Sequence, residues 1–210
     1  MKDLTYTNIR AEHGPGVAEL QALCFPHTPP DYYFTADDVA HMAEVFPEGH
    51  FVVLDGEKVV GFGAGIFVNF DFDHPQHTLE EIAGPGGYEE HTPDGEYYYG
   101  TDISVHPDYR RRGIGRHLYQ LRKDVVRQFN RKGILAGGVL PGFGQYKDKM
   151  SAAEYVNKVA TGELYDKTLT FQLENGFKVL GVLRDYFPDA QTDGWASLIL
   201  WENEDYKPKN

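Results

Sequence analysis

Apolar and polar positions repeat along this chain with two periods, and the switch from one to the other marks the elements. In 59–70 the even positions Val60, Phe62, Ala64, Ile66, Val68 and Phe70 are apolar. Gly61, Gly63 and Gly65 stand between them, which is the period of a strand. Phe51-Val52-Val53-Leu54 precedes this run across Asp55-Gly56, a hairpin signal. From Ile114 the spacing lengthens. Ile114, Leu118, Leu121, Val125 and Phe129 recur every three or four residues, the stripe of a helix with one buried face. Arg127, Arg131 and Lys132 sit in its last turn, where cations suit the dipole, and Gly133 stands just past it as a cap.

The same reading gives a first strand at 4–10 and a helix carrying Val17, Leu20 and Leu23. Pro29-Pro30 breaks the chain. Thr35-Ala36-Asp37-Asp38 resembles a capping box opening a helix with Val39, Met42, Ala43 and Phe46 on one face. Strands follow at 97–105 and 134–140, and Pro141-Gly142 ends the second. Helices are predicted at 151–160 and 166–175, the latter closed by Gly176, and strands at 177–183 and 195–201. Residues 1–203 form a single domain, with an acidic loop insertion at 71–96, a helical insertion at 145–163 and a frayed tail at 204–210. Two glycine runs stay open at this level. The bare face of 59–70 either admits a close neighbour or relieves crowding under a helix. Ala136-Gly137-Gly138 either leaves a slot beside the central strand or packs tightly.

Charge changes the picture more than composition does. The net charge is -12 over 210 residues. Residues 71–96 hold eight acids and no lysine or arginine, whereas 110–132 hold nine basic residues and one acid, Asp124. One segment therefore suits a polyanion, while the rest repels nucleic acid and attracts a cationic amine. Cys24 is the single cysteine, so no internal disulfide forms, which fits a cytoplasmic location. Residues 1–6 have no apolar signal-peptide core, and the longest apolar run, 59–68, is too short to span a membrane.

The basic segment opens with Arg110-Arg111-Arg112-Gly113-Ile114-Gly115, of the form R-x-x-G-x-G. Glycines let the backbone come close to a ligand. The first helical turn carries amides with no internal partner and the positive end of the dipole. Together they make a pyrophosphate cradle, and the arginines add forked donors. No Gly-Lys-Ser/Thr follows, and no third glycine, so neither the nucleotide P-loop nor the dinucleotide fingerprint is present.

The stretch from Asp102 through Ile103-Ser104-Val105-His106-Pro107 to Gly115 resembles the coenzyme A motif of the GNAT superfamily of N-acetyltransferases. The subgroup it most resembles is the acetyltransferase module fused to carbon-nitrogen hydrolases. That likeness rests on Asp-Ile-Ser-Val-His-Pro-x-Tyr-Arg and Gly-Gly-x-x-Pro-Gly. The resemblance implies an α/β fold with a central mixed, mostly antiparallel sheet of about six or seven strands, whose central parallel strands splay. It implies acetyl-CoA as co-substrate, held by Ile103, Ser104, Val105, Arg110, Arg111, Arg112, Gly113, Ile114, Gly115 and Arg116. It further implies direct attack by an amine in a ternary complex. The acceptor is a small amine or lysine side chain, cationic by the charge argument. No metal, nucleic acid or membrane is expected as partner, and a homodimer stays open. The alternative is a non-catalytic acyl-CoA sensor of the same fold.

The reaction needs a base and benefits from an acid. Asp102 is the only carboxylate inside the central strand, on the face opposite Ile103 and Val105. It is either the base or a structural carboxylate, with Glu80, Glu81, Glu89 and Glu90 as rivals. For the acid, many family members carry tyrosine in L-Y-x-K-x-G-F. Here Gln172 holds that position, and Tyr165, about two helical turns earlier, is the substitute only if the helix entry bends toward the sulfur, with Tyr146 as another candidate. His74, His77, Asp71 and Asp73 suggest a metal cluster, but Pro75 prevents regular helical pairing.

Overall fold

Seven strands form one sheet: β1 Thr5–Asn8, β2 Phe51–Asp55, β3 Lys58–Val68, β4 Tyr97–Val105, β5 Gly133–Val139, β6 Lys178–Leu183 and β7 Ala196–Glu202, in the order β1-β2-β3-β4-β5-β7-β6. This computed structural model describes residues 4–26, 28–86 and 88–208. Half of the signal-free 1–6 and the end of the expected tail thus lie outside the described residues. β4 and β5 are parallel and every other neighbouring pair is antiparallel, which is the mixed sheet expected from the resemblance.

Helices cover both faces. On one, α1 Gly14–Cys24 and α2 Ala36–Val45 lay Val17, Leu20, Val39 and Met42 on Phe62, Ala64, Ile66 and Val68. Thr35 caps α2 by accepting from the Asp38 amide at 3.1 Å, and Asp38 accepts from the Thr35 amide at 2.7 Å. That capping box is worth about 1 kcal/mol. On the other face, α4 Ile114–Gln128 packs Leu118 and Val125 against Val53, Tyr98 and Ile134. α5 Ala152–Ala160 and α6 Leu169–Glu174 extend the same cluster through Tyr155, Val156 and Leu169.

One open alternative closes and three expectations change. The bare glycine face of β3 lies under α4, so its close neighbours are protein. A Cβ on Gly61 would be 3.1 Å from Ile114, and one on Gly63 would be 3.5 Å from Leu118. Gly133 begins β5 and does not cap α4. The left-handed residue after that helix is Asn130, at φ 49°. The acidic segment contains a short helix, α3 Leu79–Ala83, capped by Thr78, which accepts from the Glu81 amide at 3.1 Å. The tail is held through Lys207, whose amide and carbonyl both bond the Asn130 side chain, at 2.9 and 2.7 Å. No helix among the described residues is long and apolar enough to cross a membrane.

Candidate functional site

The parallel pair at the centre of the sheet comes apart. β4 and β5 pair from Tyr97–Gly133 to Gly100–Ala136 and no further. Residues 101–105 of β4 therefore diverge from 137–139 of β5 and leave a wedge. The cause lies in β4. Ala64 of β3 faces Asp102 while Gly65 faces Gly100, so Thr101 is an extra residue, a β-bulge. A bulge bends its strand and re-aims the residues beyond it. The Thr101 hydroxyl is buried there without a hydrogen-bond partner among the described residues.

Arg122 of α4 braces the bulge from below. Its guanidinium is buried, and one nitrogen, Nη2, donates to the carbonyls of Ala64, at 2.7 Å, and Asp102. Gly100 makes room for it, since a Cβ there would stand 2.9 Å from Nη1. Arg122→Met would strip a buried and a partly buried carbonyl of their donor. The expected loss is about 2–4 kcal/mol of stability, measured by urea unfolding.

At the open end of the wedge stands the glycine turn. Arg111 has φ 61° and Gly113 has φ 84°, so two left-handed residues flank Arg112. The His117 amide bonds the Gly113 carbonyl at 3.0 Å, which leaves the amides of Ile114, Gly115 and Arg116 without helical partners. Arg110 turns inward, its Nε donating to the Val105 carbonyl at 3.1 Å. Arg112 donates to the Asp108 carbonyl at 2.7 Å and lies over the Tyr109 ring. Arg111 and Arg116 are exposed, and their side chains make no hydrogen bond or ion pair among the described residues. Alternating backbone of this kind, with free amides and unengaged arginines, suits a pyrophosphate.

On the α1 face of the wedge is Asp102. Its Oδ1 accepts from the Ser104 hydroxyl at 2.7 Å and its Oδ2 from the Gln21 amide at 3.2 Å. Gln21 is itself buried, and its Oε1 accepts from the Phe34 backbone at 2.7 Å. Burial pushes the Asp102 carboxyl up to about 6; the Ser104 and Gln21 hydrogen bonds and the Arg122 charge oppose it. A carboxylate with that affinity is an acceptor of protons near neutral pH. Asp102 and Ser104 thus share one face, and Ile103 and Val105 join the cluster under α4, as the alternation of the strand requires.

The acid position resolves differently. Tyr165 is 73% exposed and is not helical. Asp166 caps the turn that leads into α6, its carboxylate accepting from the Thr168 and Leu169 amides at 2.9 and 3.0 Å, and Tyr165 lies before that cap. The two-turn relation between Tyr165 and Gln172 therefore does not exist. Gln172 is 4% exposed, and its Oε1 has no partner among the described residues. A Cβ on Gly138 of β5 would be 2.6 Å from that oxygen. On the opposite face a Cβ on Gly137 would overlap the Tyr186 ring. The small residues of β5 thus admit side chains from both sides. Tyr146 packs on Tyr155, with ring centroids 5.4 Å apart.

Gln21, Arg122 and Tyr186 escaped sequence reasoning. Gln21 follows Val17 by four, and Arg122 follows Leu118 by four, so each polar residue sits on its helix's apolar stripe. That misplacement was the available signal. His77 is buried against Tyr99 and away from solvent, and no metal-binding group of His, Cys, Asp and Glu is found among the described residues.

The profile of the "Acetyltransferase (GNAT) family" matches residues 15–137. "Probable hydrolase YhcX" of Bacillus subtilis is 36% identical over 99% of this chain, which spans 40% of that relative's length. "Uncharacterized N-acetyltransferase YkwB" of Bacillus subtilis is 31% identical over 97% of this chain and 91% of its own. Among solved structures, "GphF GNAT-like decarboxylase in complex with isobutyryl-CoA" superposes with a TM-score of 0.80. It is 18% identical, covering 95% of this chain and 100% of that one.

Proposed function

The chain belongs to the GNAT acetyltransferase family, and from that premise we propose that it transfers acetyl from acetyl-CoA to an amine by direct attack. One observation carries the reading. The wedge between β4 and β5 has unpartnered helix amides at its mouth and a proton-accepting carboxylate on its wall.

In this reading the amides of Ile114, Gly115 and Arg116, with Arg110, Arg111 and Arg112, hold the pyrophosphate. The unpaired edge of Ile103, Ser104 and Val105 holds the pantetheine arm. The acceptor arrives on the α1 face, beside Asp102. A lysine-like amine has a pKa of about 10.4 and must lose a proton to attack. Asp102, directly or through water, takes that proton as the nitrogen–carbon bond forms. A strand amide in 103–105 steadies the oxyanion. The carbon–sulfur bond then breaks, and its electrons leave on sulfur. The acceptor's positive charge suits the acidic 71–96 segment.

Calorimetry with coenzyme A and acetyl-CoA, followed by thiol release with a panel of amines, tests the proposal. Binding of both with amine-dependent release supports it. Binding without release from any amine would favour an acyl-CoA sensor, and no binding at all would remove the reading.

The missing tyrosine matters little. A thiol has a pKa of about 8.5, so at pH 7 its protonation is worth only about 2 kcal/mol. Gln172→Ala, normalised to folded protein, is expected to keep turnover within about tenfold of wild type. A larger fall in steady-state kcat would give Gln172 a direct part.

A further inference from the structure

At the vertex of the wedge three side chains from distant segments meet on the face that carries Asp102. Tyr99 comes from β4, one residue before the last paired residue, Gly100. Tyr186 comes from the connection between β6 and β7, and His77 from the acidic segment. The Tyr99 hydroxyl lies 2.8 Å from His77 Nε2 and 3.2 Å from the Tyr186 hydroxyl. His77 Nδ1 is 2.7 Å from the Pro75 carbonyl, which can only accept, so Nδ1 carries the proton. Nε2 of the neutral ring is then the acceptor for Tyr99.

We propose that Tyr186, braced by Tyr99 and His77, is the floor of the acyl pocket and limits the transferred group to the size of acetyl. The inference rests on the reading that acyl-CoA occupies the wedge. Two observations carry it. The Tyr186 ring lies over Gly137, the first β5 residue beyond the last pair, and its hydroxyl meets the Gly137 backbone, so it closes the wedge on this face where the strands begin to part. The ring is also fixed. It is 4% exposed, its carbonyl accepts from the Leu79 amide at 2.9 Å, and its amide donates to the Gly194 carbonyl at 2.8 Å. Gln76 clamps the neighbouring Arg184 backbone, donating to its carbonyl at 2.9 Å and accepting from its amide at 3.0 Å. A floor held from β4, the acidic segment and the β6–β7 connection does not yield to a longer chain. Close packing makes each added methylene felt. The hydroxyls serve the bracing, since backbone around the parting strands needs polar neighbours.

The test is calorimetry of coenzyme A, acetyl-CoA, propionyl-CoA and butyryl-CoA with the whole chain, which needs no acceptor. Wild type is expected to bind acetyl-CoA at least about tenfold more tightly than butyryl-CoA, the scale of methylene discrimination in pockets. Tyr186→Phe keeps the ring and its backbone clamps and loses only the hydroxyl, with its bond to Tyr99, so it should lower the ratio less than the smaller side chains do. Tyr186→Leu and Tyr186→Ala should reduce it about tenfold. A ratio of dissociation constants from one preparation does not depend on the folded fraction, so a less stable variant remains informative. Wild type binding butyryl-CoA as tightly as acetyl-CoA, or a ratio unchanged in all variants, overturns the floor while leaving the wedge as a coenzyme site. If wild type binds none of the four, both readings fall together.

Discussion

Gly115→Val is expected to weaken coenzyme A binding at least about a hundredfold while leaving the protein folded. Gly115 is the second residue of α4, in the turn whose amides have no helical partner. A Cβ at this position would lie 3.2 Å from the Phe171 ring and 4.0 Å from Val105. The two methyl groups of valine need more room than that. Either Phe171 gives way or the first turn of α4 moves off the mouth of the wedge. A converging set of amides tolerates little displacement, because each phosphate bond depends on direction as well as distance. Gly113→Ala is the control. Its Cβ would meet nothing within 4 Å, so the residue must only be forced to hold φ 84°, at a cost of about 1–2 kcal/mol. Stability should drop there more than affinity. Calorimetry gives the affinities and thermal unfolding the stabilities. A valine variant that binds as wild type does would remove the amide cradle from the account.

The element pattern and the glycine turn before α4 were legible because they are local. A strand alternates, a helix repeats, and Gly113 needs a left-handed backbone that a side chain resists. The parallel pairing and its early end were implied only through the family likeness, since no local pattern encodes which strands neighbour each other. The hidden part depends on contacts between distant residues. Gln21 and Asp102 are 81 positions apart, and Tyr99 and Tyr186 are 87 apart. Sequence spacing says nothing about such pairs. The exposed position of Tyr165 was hidden for a related reason. Its part required the helix entry to bend toward the sulfur, and the Asp166 side chain caps that entry with Tyr165 outside it. Asn130 took the cap expected of Gly133 because asparagine also tolerates the left-handed region. Gly133 was needed in the sheet, where a Cβ would overlap the Trp201 carbonyl.

Asp102→Asn should lower kcat/KM by about two to three orders of magnitude, the usual range for losing a positioned base, and should raise stability at neutral pH. The two effects share one cause. Burial lifts the folded-state pKa of Asp102 from 3.8 to about 6. Between those values the folded protein holds a proton that the unfolded chain has released. Stability therefore falls as pH rises through that window, by about 3 kcal/mol for roughly two pKa units. Asparagine has no charge to bury, so the variant escapes that fall. Its gain at pH 8 stays below the full amount, because the new amide meets the Gln21 donor where a carboxylate oxygen had accepted. At pH 4, where the wild-type carboxyl is largely protonated in the folded state, the gain should vanish. Activity carries the opposite sign. The base works only when ionised, so wild-type kcat/KM should rise steeply below pH 6 and less steeply above it, where only the amine still titrates. The variant should lose that bend. Urea unfolding at pH 4 and pH 8, beside a pH–rate profile, separates the outcomes. An asparagine enzyme that gains stability at pH 8 but keeps its rate and its bend would make Asp102 a strained structural carboxylate and move the base elsewhere.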